Sequence, residues 1–109
     1  MAYDERLAQR IRELIDNHPA IVEKNMFGGI AFIIRGHMAC GVNSHDLIVR
    51  VGPDEHAAAL AQPHTRPFDM TGRAMRGWVM VSPQGCQTDA DLKKWVNQAL
   101  AFVLELPAK

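Results

Sequence analysis

Between residues 28 and 51, three short apolar runs are separated by polar punctuation: GGIAFIIR, then GH, then MACGV, then NSHD, then LIVRV. No other stretch constrains the fold as much. Runs this short, bounded by turn residues, fit strands rather than helices. Alternation assigns their faces. Ile30, Phe32 and Ile34 fall on one face, with Ala31 and Ile33 opposite. Met38, Cys40 and Val42 share a face, and Leu47, Val49 and Val51 point inward. Links this short join antiparallel neighbours, so the three strands read as a meander. Ala39 and Gly41 are small, which predicts another element close above that strand's second face.

The flanking segments read as helices. From Asp4 to Asn17 the apolar positions Leu7, Ile11, Leu14 and Ile15 form one stripe, with Asp4 and Glu5 in the first turn and Pro19 as the stop. GPDEHAAALA, residues 52–61, reads as a short helix with Pro53 at its first position. WVMVS, starting at Trp78, is a strand with Trp78 and Met80 opposite Val79 and Val81; a short extended piece has room at Phe68. The last helix starts at Thr88, with Asp91 three residues on as an imperfect capping box. Its stripe is Leu92, Trp95, Val96, Ala99, Val103 and Leu106. Leu100 and Phe102 fall partly off that stripe, which predicts contact with a partner chain. The expectation is a single α+β domain over residues 1–109. It has an antiparallel sheet of about four to five strands with flanking helices, in the order α-β-β-β-α-β-β-α.

Composition bounds the function. At 109 residues the chain suffices for one core, and 48% apolar residues fit a globular protein. Twelve basic and twelve acidic residues give zero net charge, so nothing global attracts nucleic acid or an anionic membrane. No apolar run approaches the roughly 20 residues needed to cross a bilayer. The charged opening MAYDERLAQR does not read as a signal peptide, and Cys40 and Cys86 form no CxxC pair. The expected compartment is the cytoplasm with both thiols reduced, Cys40 serving as a small buried hydrophobe.

The sequence offers little chemistry. Gly28 and Gly29 precede a strand, not a helix, and no phosphate-loop or dinucleotide fingerprint surrounds them. They are expected to permit a bend or bulge that a Cβ would block. His18, His37, His45, His56 and His64 make no metal-binding spacing. Ser44 and Ser82 are the only serines, and neither sits in a nucleophile elbow. The carboxylates lie at helix starts, on helix faces and in turns. No catalytic residue, metal or cofactor is expected, and the chain reads as a non-enzyme. The richest stretch is HTRPFDMTGRAMRGW, where Arg66, Arg73 and Arg76 stand against one acid, Asp69, and Arg50 lies in a nearby strand. Guanidinium groups suit phosphate or carboxylate, so these four are anion-binding candidates. No helix carries a base-reading face, so nucleic acid is not an expected partner.

Three pieces in order carry a resemblance: Met26-Phe27-Gly28-Gly29, then Arg50-Val51-Gly52, then Gly72-Arg73-x-Met75. With their surroundings from about Met26 to Val81, and the flanking helices, they resemble the TfoX N-terminal domain family. The resemblance implies an α+β fold like that of secretion chaperones, in which dimers are common. It implies a regulatory role, since the family's namesake is a bacterial regulator of natural competence acting with transcription machinery. The namesake pairs this domain with a C-terminal domain that lies outside these 109 residues. No catalytic residues come with the resemblance. The expected function is therefore a regulatory or adaptor domain that is a homodimer and binds another protein. The alternative is a small-anion or nucleotide-binding module built on Arg50, Arg66, Arg73 and Arg76.

Overall fold

Asp4 opens the first helix, its carboxylate accepting from the backbone N–H groups of Arg6 and Leu7 at 3.0 and 3.2 Å. The helix, α1, runs Glu5–Leu14 and buries Leu7, Ala8 and Ile11. The computed structural model describes residues 3–15, 20–26, 28–68 and 75–107. The expected helix stop at residues 17–19 lies outside them, and the observed helix ends at Leu14. After it come β1 (Ile21–Met26), β2 (Gly29–Ile34), β3 (His37–Asn43) and β4 (Asp46–Arg50). A 3-10 turn at Pro53–Glu55 leads into α2 (His56–Leu60). Then follow β5 (Thr65–Pro67), β6 (Trp78–Val81), a 3-10 turn at Pro83–Cys86, and α3 (Asp89–Leu104).

The strands form one antiparallel sheet in the order β1-β2-β3-β4-β6-β5. The α+β class and the meander are as expected, but six strands replace four to five. The added strand, β1, is an edge whose middle residues Val22, Glu23, Lys24 and Asn25 are all exposed. It lacks the inward apolar alternation that marks a half-buried strand. The short extended piece expected at Phe68 lies just before it, at Thr65–Pro67.

One face of the sheet meets both long helices. Ile11 of α1 and Trp95, Val96, Ala99 and Val103 of α3 share a core with Phe32, Val42, Val49 and Val79, all essentially inaccessible to solvent. Burying each Val, Ile or Phe side chain among them contributes roughly 1.5–3 kcal/mol. Thr88 caps α3 as expected, its hydroxyl accepting from Asp91 N–H at 3.1 Å. Leu100 is only 6% exposed and belongs to this core. The helix therefore uses within the chain a residue that suggested a partner.

The assigned faces need one correction. A register shift between Phe32 and Ile33 pairs Phe32 with Cys40 but Ile33 with Met38, leaving Ala39 as an extra residue in β3. This is a β-bulge, and it turns the strand beyond it over. Ala39 and Cys40 both enter the core, while Met38 goes to the second face with Gly41. That second face carries the cross-strand row Lys24, Ala31, Gly41, Ile48, Met80 and Arg66.

The β2–β3 turn is tight because Arg35 and Gly36 both take positive φ, 54° and 87°. It also holds the end of α3. Arg35 donates to Leu104 O at 3.2 Å, and His37 Nε2 lies 2.6 Å from Pro107 O. A carbonyl can only accept, so Nε2 carries the hydrogen.

Candidate binding groove on the second sheet face

The paired glycines serve the backbone. Gly28 sits at φ +75° in the β1–β2 link with open space where a Cβ would be. Gly29 lies so close to β3 that an added Cβ would stand 2.1 Å from Val42 O. Met26 pairs with Gly29 across this link. Phe27 and Gly72, the other motif residues, lie outside the described residues.

Two of the arginine candidates, Arg50 and Arg66, stand apart. Arg50, at the end of β4, is flanked by two rings, its guanidinium carbon 5.2 Å from the Trp78 centroid and 5.5 Å from that of Phe102. Arg66 pairs with Asp46 at the other end of β4. Four residues of strand, roughly 13 Å, separate Asp46 from Arg50. Arg76 is exposed on the turn before β6, and Arg73 lies outside the described residues. The two described strand arginines thus do not converge, because Asp46 draws Arg66 away.

Arg50 itself is held by a corner of backbone. Gly77 O accepts from Val51 N–H at 2.8 Å and Gly52 N–H at 3.0 Å, and Gly77 N–H donates to His56 Nδ1 at 2.9 Å. Gly52 (φ 88°, ψ 156°) lies against Phe102, where an added Cβ would come within 2.5 Å of the ring. Phe102, off the stripe in sequence, is thereby placed against Arg50. Among the described residues Arg50 has no carboxylate partner and donates no hydrogen bond. Burial pushes its pKa below the usual arginine value.

Trp78 and Arg50 stand at one end of a half-open groove of about 570 Å³ across the second face. Its apolar lining is Met26, Ile33, Met38, Phe68, Met75 and Trp78, with Phe68 and Trp78 in tilted ring contact at 5.9 Å. Lys24, His37 and Arg50 supply its polar side chains, and no described lining residue is acidic. Met75 is 38% exposed at its mouth. Most of this groove is not legible in the sequence. Met26, Arg50 and Met75 stood out as motif members, but β1 and the bulge that re-aims Met38 carried no strong sequence signal.

Several polar groups outside the groove have partners. In the cleft between α1 and α3, Arg10 donates to Gln87 O and Asp89, and Asp4 caps α1. Backbone donors from Leu7 and Arg6 and the His45 ring outweigh desolvation and hold the Asp4 carboxyl below its ordinary value. Cys40 and Cys86 are buried, and burial pushes their thiols up to about 12 and about 11. Among the described residues, no three His, Cys, Asp or Glu side chains gather to hold a metal ion, and no helix is long and apolar enough to cross a membrane.

The family model for the TfoX N-terminal domain matches residues 13–103. No curated protein and no solved structure matches the chain.

Proposed function

The chain belongs to the TfoX N-terminal domain family, and from that premise we propose that it is a non-enzymatic regulatory or adaptor domain acting by binding another protein through the second sheet face. The observation that carries this reading is the groove. Three methionines, an isoleucine and two aromatic rings line a half-open depression on a rigid sheet. Methionine side chains are flexible and polarisable, so such a surface adapts to the side chains of a partner. Several groups that chemistry could recruit have structural work instead. The thiols are buried and held protonated, and His56 accepts from Gly77 N–H.

The test is capture from native lysate with the wild-type chain and with Met75→Glu. Met75 is exposed, so the substitution changes the groove mouth with little cost to folding. The expected result is a protein retained by the wild type and lost with the variant. Equal retention by both, or none above a blank matrix, would contradict the reading.

A further inference from the structure

We infer that the occupant of the groove is an acidic peptide segment of the partner protein, with a carboxylate received by Arg50 and a neighbouring apolar side chain seated among Met26, Met38 and Met75. This rests on the adaptor reading and adds the partner's chemistry to it. The argument is one of charge complementarity. The whole chain is neutral, yet the groove's polar side chains include the cations Lys24 and Arg50 and no described acid. A basic or neutral segment would leave those cations uncompensated, whereas an acidic one pairs with them and is steered toward them from solution.

Arg50 is prepared for this role. Three other arginines are paired with carboxylates: Arg10 with Asp89, Arg12 with Glu5 and Glu23, and Arg66 with Asp46. Arg50 is instead held between two rings with its donors unused among the described residues. A planar guanidinium in that setting presents parallel N–H groups to a carboxylate with little rotamer entropy left to lose. Partial desolvation strengthens the pairing. The adjoining floor is apolar, so a purely ionic ligand would leave it uncovered. A segment with both characters satisfies the two halves together. Nucleic acid fits less well, because two cations beside a methionine floor do not track a phosphate backbone.

The experiment uses the intact chain and a short fluorescein-labelled peptide in which a Leu-Phe pair is flanked by glutamates. Polarisation gives its affinity, and the Trp78 indole N–H resonance reports the site. The expected result is saturable binding that shifts this resonance. Replacing the glutamates by lysines, or Leu-Phe by Ser-Ser, should each weaken binding at least about tenfold. Arg50→Gln should also weaken it at least about tenfold, with Arg50→Lys intermediate. Because Arg50 packs between rings, Lys24→Glu provides a variant on an exposed edge strand. It should lower affinity several-fold and flatten the salt dependence. The inference is overturned if the lysine peptide binds as well as the acidic one, if the acidic peptide does not bind, or if Arg50→Gln and Lys24→Glu both bind undiminished. If Arg50→Gln does not fold, Lys24→Glu decides alone. Lysate capture lost with Met75→Glu, combined with indifference to peptide charge, would sink the acidic class and leave the adaptor reading standing.

Discussion

Gly52→Ala tests the corner that holds Arg50. Two costs add at this position. The backbone at φ 88°, ψ 156° lies in a region essentially reserved for glycine, and a side chain there costs about 1–3 kcal/mol. The new methyl would also stand 2.5 Å from the Phe102 ring, and overpacking of that kind costs about 1–3 kcal/mol. The expected loss is therefore about 2–6 kcal/mol, a fall in Tm of roughly 8–24 °C for a domain of this size. Urea and thermal unfolding followed by tryptophan fluorescence measure it. Phe102→Leu separates the two costs. It removes the overlap and leaves the strain, so the double variant should be less destabilised than the sum of the singles by about 1–2 kcal/mol. Gly52→Ala should also weaken acidic-peptide binding, because displacing Phe102 frees one side of Arg50. A Gly52→Ala protein within about 0.5 kcal/mol of wild type would refute the reasoning, and so would zero coupling to Phe102.

Gly29→Ala should cost about 3 kcal/mol or more by urea unfolding, since the obstruction is Val42 backbone oxygen. Gly28→Ala should cost only about 1–2 kcal/mol, for positive φ alone. Neither thiol should react with a thiol reagent at pH 8 before unfolding, and both should react in denaturant. Folding raises both thiol pKa values. Their contribution to stability is therefore full below the unfolded value near 9 and should be lost as pH rises through about 11 and about 12. Asp4→Ala should cost about 1 kcal/mol through loss of the α1 cap. The Asp4 carboxyl is lowered by folding, so its contribution is present above pH ~4 and is lost as pH falls below that, which acid titration of stability in the wild type and variant would resolve.

How much the sequence disclosed depended on how local each feature is. The α3 stripe, its Thr88 cap and the strands from Gly29 to Arg50 were legible, because period and capping are set by neighbouring residues. β1 was not, because an edge strand with Val22 to Asn25 exposed shows no buried period. Nor was the bulge: Ala39 beside Cys40 offers two small side chains, either of which fits the core, and only pairing with β2 decides that both enter it. The arginine-rich stretch showed where cations concentrate but not how they pair. Asp46, twenty residues away, takes Arg66, and Phe102, in the last helix, helps hold Arg50. The groove gathers Lys24, Ile33, Met38, Arg50 and Trp78 from five strands, so no local window could contain it.

The most direct test of the central claim, that the second sheet face is where this domain meets its partner, is methyl NMR on the chain labelled at methionine, titrated with the protein retained from lysate. The methyls of Met26, Met38 and Met75 should shift or broaden together as the partner is added, and Met75→Glu should abolish the change. Stationary groove methyls, with backbone perturbations confined to the outer side of α3, would contradict it.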